Sequence, residues 1–331
     1  ASEVGPAWNL RGEFNSKYLD QAKEKIQTLN SLGLSVIVYG AWGQQIKWLG
    51  EERMKDWWRE IVNRFNNLDV MYCVTGESDI WVGEEKKLLP DKSTDEFKTS
   101  TRLAYFGKRL INMMVEPINV AKKQELKKEW SDILTLISSM TTKPIFIHTL
   151  SNRTSEQVVN NPELLDAITV QTGHSLNTRK ILWQLPLEIT REYPDKRYIN
   201  LEPWYEGITG RFGSNDQLYA YWASMMAGAH AYCYGAHGVW NVGDGNFLAH
   251  WGKQTFDQAI KLNTPHLLGE SHRIFVQSGF MKYRSVEVED RNGELISITR
   301  FNSKGDFVYY TPEISVVKDL PKGKIFLPFK R

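Results

Sequence analysis

Apolar positions along this chain alternate between helical spacing and short continuous runs. Tyr18, Ala22, Ile26 and Leu29 fall at helical spacing behind Asn15 and Ser16, either of which can cap the helix. Gly33 stops it, and the apolar run 34–39 reads as a buried strand. A helix from about 51 to 65 precedes a strand at 70–75, and the polar segment 82–99 reads as a loop over one face. Helical pattern returns over 102–140, followed by strands at 144–148 and 167–171 with a short helix at 162–166 between them. Then come a helix at 177–193, a strand at 198–201, a helix at 215–227, a strand at about 231–240 and a helix at about 254–262.

Helix, glycine stop, apolar strand and polar loop, repeated, is the signature of an α/β protein with a parallel sheet. A closed barrel of this kind needs eight strands, whereas six can be counted here. Residues 1–16, broken by Gly5, Pro6 and Gly12, cannot supply two strands and a helix. The expectation is therefore a TIM-type (β/α)₈ barrel whose first strands are missing from this chain.

After Arg273 the period changes to two, with strand-like runs at 275–281, 286–289, 295–301 and 306–311. Asn292-Gly293 and Lys304-Gly305 supply the turns, and Asn-Gly between strands is a strong hairpin signal. The pattern divides the chain into a barrel domain, 1–272, and a small antiparallel β-domain, 273–331.

Composition narrows the function. Charged residues make up 24% and the formal net charge is +2, so nothing calls for nucleic acid or an acidic membrane surface as a partner. No run approaches the ~20 apolar residues of a membrane span. Two cysteines, Cys73 and Cys233, cannot build a disulfide framework and read as small buried thiols. No signal peptide is visible; the location expected is periplasmic or secreted, with a leader already removed. The 12 Trp and 14 Tyr are many, and several stand at strand ends, as in Ala41-Trp42-Gly43 and Pro203-Trp204-Tyr205. Flat aromatic faces there suit the apolar faces of sugar rings, although core filling is the commoner role of any single Trp.

The ends of the six strands carry the chemistry. Tyr39 and Trp42 follow the first, Glu77 and Asp79 the second, and His148 ends the third. Gln171 and His174 follow the fourth, Glu202, Trp204, Tyr205 and Glu206 the fifth, and Trp240 and Asp244 the sixth. In barrel enzymes the C-terminal strand ends are where catalysis sits. Two carboxyl groups, one donating a proton and one attacking or activating water, cleave a glycosidic bond. Glu77 and Glu202 are the pair selected, because each directly ends a strand; Glu206 and Asp79 are the substitutes. For one such Glu a salt bridge or a helix cap is as common a role.

His148, His174, His230 and His237 invite a metal reading, but no pair has helical metal-ligand spacing beside a Glu. No metal and no cofactor are expected. His174 reads as a hydrogen-bond donor to a substrate hydroxyl or to a catalytic carboxylate, and His230 and His237 read as structural. Asp244-Gly245-Asn246 is weak evidence for calcium. Nucleotide-binding and serine-hydrolase signatures are lacking.

These residues resemble the apiosidase-like glycoside hydrolases, family 140 and its relatives. The matching pieces are 34–43 with Trp42-Gly43, 72–77 ending in Thr-Gly-Glu, Gln171-Thr172-Gly173-His174, 200–207 reading Asn-Leu-Glu-Pro-Trp-Tyr-Glu-Gly, and 227–240 closing in Gly-Val-Trp. The resemblance implies a (β/α)₈ barrel with a small C-terminal β-domain, acting on plant cell-wall polysaccharides. It implies Glu77 as acid/base and Glu202 as nucleophile of a retaining mechanism. Many relatives carry Asp where this chain has Glu77, and the family's opening Gly-Asp-Thr-x-Trp-like segment has no counterpart here. Substrate binding is expected from Tyr39, Trp42, His148, Gln171, His174, Trp204, Tyr205, Glu206 and Trp240. The partner implied is an oligosaccharide or polysaccharide. The rival readings are a non-catalytic carbohydrate-binding barrel and, more distantly, a metal-dependent hydrolase built on His148 and His174.

Overall fold

The computed structural model describes residues 3–9, 11–80, 102–151, 153–312 and 324–325, with the backbone alone over 102–120. The expected loop at 82–99 lies outside the described residues. The chain divides into two compact units, Ala1–Val170 and Gln171–Arg331.

In the first unit, helix α1 (Ser16–Ser31) is capped by Asn15, whose side chain accepts from the Tyr18 backbone N–H. Strand β1 (Val36–Tyr39) follows, then a short helix α2 (Gln45–Leu49) and α3 (Glu51–Phe65). Met54, Trp57, Trp58, Ile61, Val62 and Phe65 recur at three- and four-residue intervals and are all buried. That apolar stripe, with Glu51 and Glu52 in the first turn where the helix dipole favours acids, explains why α3 forms and which face it buries. Strand β2 (Val70–Cys73) pairs parallel with β1, Val36 opposite Val70 and Tyr39 opposite Cys73. The long helix α4 (Arg102–Met140) leads to β3 (Ile145–Phe146), which pairs parallel with β2. Strand β4 (Ala167–Gln171), fully buried along its length, ends at the boundary of the two units. One hydrophobic core joins α1, α3, α4 and the strands, with Trp58, Trp130, Tyr72 and Phe65 completely enclosed.

The second unit begins with the loop after β4 and continues into α5 (Ile181–Glu192), β5 (Arg197–Glu202), α6 (Ser214–Ala227) and β6 (Ala231–Tyr232). β5 and β6 pair in parallel. Ten of the residues of α6 are buried, because helices and sheet cover it on several sides. Helices α7 (Phe256–Ala259) and α8 (Thr264–Gln277) follow. The C-terminal sheet is β7 (Ser285–Arg291), β8 (Glu294–Phe301), β9 (Phe307–Tyr310) and β10 (Lys324–Ile325), in spatial order 10-9-8-7. Asn292 (φ 55°) and Gly293 (φ 85°) make the two-residue hairpin turn between β7 and β8 that their sequence announces. Arg300 ties this sheet to α6: its guanidinium donates to the Tyr283 and Met225 carbonyls at 2.7 and 3.0 Å.

Six parallel-type strands stand where the apolar runs predict them. Two expectations fail. The run 275–281 is not a strand: α8 extends to Gln277, and a single 3₁₀ turn, Phe280–Lys282, follows. Thr264, Leu268, Ser271 and Phe275 are buried at helical spacing behind Pro265, so Phe275 belongs to that stripe, and Gly279 (φ 67°) ends it. The run 231–240 is strand only at Ala231–Tyr232, since Gly235 and Gly238 break the extended backbone. Neither cysteine is in a disulfide among the described residues; Cys73 is buried and Cys233 half-buried.

Candidate active site

Each unit carries one glutamate at the end of a parallel strand, held by its own set of neighbours. In the first unit Glu77 lies four residues beyond β2, in a backbone bent sharply at φ 44°. A left-handed conformation at a residue with a Cβ costs about 1–3 kcal/mol and survives only where surrounding contacts impose it. Those contacts are visible. Trp42 forms a parallel bridge with Gly76, and Gly43 donates to the Gly76 carbonyl at 2.7 Å. A Cβ on Gly76 would overlap the Trp42 ring, and one on Gly43 would overlap the Glu77 carbonyl. The two glycines let the strand ends close on each other. The Trp42 indole N–H then donates to Glu77 Oε2 at 3.1 Å.

His148 completes this cluster. Its Nδ1 accepts the Glu77 backbone N–H at 3.1 Å, and its backbone carbonyl accepts from Ser78 at 2.8 Å. Nδ1 is thereby the acceptor nitrogen of the neutral ring, and Nε2 carries the proton. The Tyr39 and Trp42 rings lie 6.1 and 6.3 Å from the imidazole. His148 is buried, whereas Tyr39 and Trp42 are 40% and 37% exposed. Asp79 is occupied elsewhere: Oδ1 accepts the Leu150 N–H at 2.7 Å and Oδ2 lies 3.2 Å from Arg153 Nε.

In the second unit the same device recurs. His174 Nδ1 accepts the Tyr205 backbone N–H at 3.3 Å, which leaves the proton on Nε2. That Nε2–H donates to Glu202 Oε1 at 2.9 Å, with both side chains only 12–13% exposed. A hydrogen bond of this kind fixes the orientation of the carboxyl group. The Glu202 carbonyl accepts from Thr172 and Gly173, fixing the loop that carries His174. The Tyr205 ring lies tilted against His174, centroids 4.5 Å apart, and 6.2 Å from Trp240, itself 40% exposed. Gln171, the last residue of β4, is buried.

Two of the expected sugar-binding residues, Trp204 and Glu206, are buried. Trp204 is 0% exposed, stacked on Phe212 at 4.7 Å, with its N–H spent on the Ser175 carbonyl and the Thr178 hydroxyl. Glu206 is 5% exposed and its carboxylate accepts from Tyr234 at 2.6 Å and Thr264 at 2.9 Å. Both side chains are packed among residues of the second unit, and the chain after them bends at Gly207 (φ 76°). His237 Nε2 donates to the Gly252 carbonyl and His230 Nδ1 accepts from the Tyr198 N–H, both within the framework. Asp244 folds its own loop, accepting from Asn246 and Phe247, whose N–H groups hold its carboxyl below the usual range. Among the described residues, no three His, Cys, Asp or Glu side chains gather as a metal site would require. Sequence reasoning missed the glycines that seat Trp42 and the partners of Asp79; Gly40, Gly43 and Gly76 beside strand-end tryptophans were the available signal.

Residues 6–281 match the apiosidase-like catalytic domain. The chain belongs to the apiosidase-like family. The apiosidase-like chain is also similar to a glycoside hydrolase family 5 crystal structure from Bacteroides vulgatus ATCC 8482, at a TM-score of 0.64 and 17% identity, covering 86% of this chain and 60% of that one. A second solved structure, titled a glycoside hydrolase, aligns at a TM-score of 0.63 and 16% identity, covering 91% of this chain and 67% of the other. The chain thus spans 60% of the length of the first and 67% of the second. Comparison with curated proteins finds no match.

Proposed function

We propose that this apiosidase-like chain is a glycoside hydrolase of barrel architecture that cleaves a plant-type or other complex polysaccharide with Glu77 and Glu202. The observation that carries the reading is the matched construction of the two clusters. Glu202 ends a parallel strand and Glu77 lies four residues beyond one, and each cluster holds a histidine whose Nδ1 accepts a backbone N–H and whose Nε2 bears a proton, together with an exposed tryptophan: Trp42 beside Glu77 and Trp240 beside Tyr205. Family membership and the barrel-type solved relatives support it.

Glu202 is the nucleophile of the proposal: the His174 N–H donates to its Oε1 and so orients the carboxyl group that would attack the anomeric carbon. Glu77 protonates the departing oxygen and then activates water, with the Trp42 N–H fixing its orientation. Retention requires the two carboxyl groups about 5–5.5 Å apart, and inversion about 6.5–9.5 Å. The test is the anomeric form of the first product, followed by NMR, together with Glu77→Gln and Glu202→Gln. Retention, loss of activity in both variants and azide rescue of only the Glu77 variant are expected. Full activity in either variant overturns the assignment. Binding of oligosaccharides without hydrolysis would favour the non-catalytic reading.

A further inference from the structure

Three consecutive residues past β2 hold the turn that follows β3. The Glu77 N–H donates to His148 Nδ1 at 3.1 Å, and the Ser78 N–H donates to the His148 carbonyl at 2.8 Å. Asp79 adds the third tie with its side chain: Oδ1 accepts the Leu150 N–H at 2.7 Å, and Oδ2 lies 3.2 Å from Arg153 Nε. The Thr149 hydroxyl donates to the Arg153 carbonyl at 3.0 Å, so both partners of Asp79 belong to one closed turn. The Asp79 side chain is 10% exposed and that of Arg153 39%. A partly exposed ion pair is screened and contributes little. A backbone N–H bonded to a carboxylate shielded from water is among the stronger hydrogen bonds. Leu150 is therefore the principal partner.

The bend at Glu77 explains why such a tie is needed. A left-handed residue with a Cβ relaxes unless its neighbours hold it in place. Before the bend, Trp42 and Gly76 pair strand to strand; after it, Asp79 is the side-chain anchor. We propose that Asp79 is a positioning residue: by anchoring the turn after β3, it keeps Glu77 in its left-handed bend and the Glu77 carboxyl on the Trp42 N–H. The inference rests on the reading of Glu77 as the proton donor, and it makes Asp79 act through Glu77 and not on the sugar.

The Trp42 indole N–H, which donates to Glu77 Oε2 at 3.1 Å, reports where the carboxyl stands. Its ¹⁵N NMR cross-peak is assigned with Trp42→Phe, and Glu77→Ala gives its position with no carboxylate to accept. In Asp79→Ala the peak moves at least halfway to the Glu77→Ala position. In Asp79→Asn, whose amide oxygen still accepts from Leu150, it stays near wild type. Kinetics on the full chain use 2,4-dinitrophenyl and 4-methoxyphenyl glycosides. Dinitrophenolate departs without a proton, whereas the methoxyphenol oxygen needs one. Asp79→Ala therefore lowers kcat/KM about tenfold or more on the methoxyphenyl glycoside and about twofold or less on the dinitrophenyl one. Partial unfolding does not produce that split, because it lowers both rates equally. Should Asp79→Ala melt below the assay temperature, Asp79→Ser, too short to reach Leu150, replaces it. An unmoved cross-peak in the folded variant, or equal losses on the two glycosides, overturns the proposal, as does an Asp79→Asn as impaired as Asp79→Ala. A cross-peak that moves while Glu77→Gln keeps full activity refutes the acid role of Glu77 and leaves the positioning in place; the NMR result decides the positioning whether or not either glycoside is turned over.

Discussion

His174 is the sharpest single test of the second cluster. Replacing it by Phe keeps a ring to pack against Tyr205, 4.5 Å away, but removes both nitrogens. One loss is the Nε2–H donor, 2.9 Å from Glu202 Oε1; the other is the Nδ1 acceptor for the Tyr205 N–H at 3.3 Å. A hydrogen bond to a charged group contributes about 1.5–3 kcal/mol, so kcat/KM should fall roughly 10- to 150-fold. Loss of the weaker Nδ1 bond acts on stability and should lower it by about 1 kcal/mol. His174→Ala should lose the same activity and, in addition, the ring contact, worth about 0.5–1.5 kcal/mol of stability. His174→Gln, which can still donate, should recover part of the activity. The assay is steady-state hydrolysis of a chromogenic glycoside beside thermal melts of each variant. Wild-type kcat/KM in His174→Phe with an intact fold would refute the idea that this imidazole orients Glu202.

Three further outcomes follow from the geometry. Gly76→Ala should drive a methyl into the Trp42 ring, cost about 1–3 kcal/mol of stability and abolish the Trp42–Glu77 bond, seen as a lower melting temperature and a changed tryptophan fluorescence. Glu206→Gln should lower stability by about 1–3 kcal/mol, because an amide N–H₂ would face hydroxyls that now donate to it, while kcat of the folded fraction stays near wild type. Burial, and then the Arg197 and Arg300 cations, hold the His230 imidazole below its ordinary value. The unfolded chain therefore binds the extra proton first, and stability is complete above about pH 6.5 and declines as pH falls below it. Because His230 as a whole is exposed, solvent screens the effect and keeps it small. Melts between about pH 5 and 7.5 should show this slope, and His230→Gln should flatten it.

Periodicity was enough for the skeleton. The stripe Met54–Phe65 and the apolar runs ending at Tyr39, Cys73, Gln171 and Glu202 are local patterns, and hydrophobic burial acts on them directly. The placement of Glu77, Glu202, His148 and His174 at or just past strand ends was likewise legible, because it follows from where the apolar runs stop. Side-chain roles were not. Trp204 and Trp240 look alike in sequence, yet one is enclosed and the other 40% exposed, which depends on where Phe212 and Tyr219 pack. Glu202 and Glu206 are four residues apart in one motif; only the fold gives the first a histidine donor and the second a buried set of hydroxyls. The 275–281 run misled because alternating apolar residues also fit the last turn of a helix, and the choice fell to Thr264, Leu268 and Ser271 upstream. Sequence determined which residues could form helices, strands and charged strand ends, since those follow from neighbours along the chain. Tertiary structure alone decided which partners each carboxylate meets, because that depends on residues far apart in the chain.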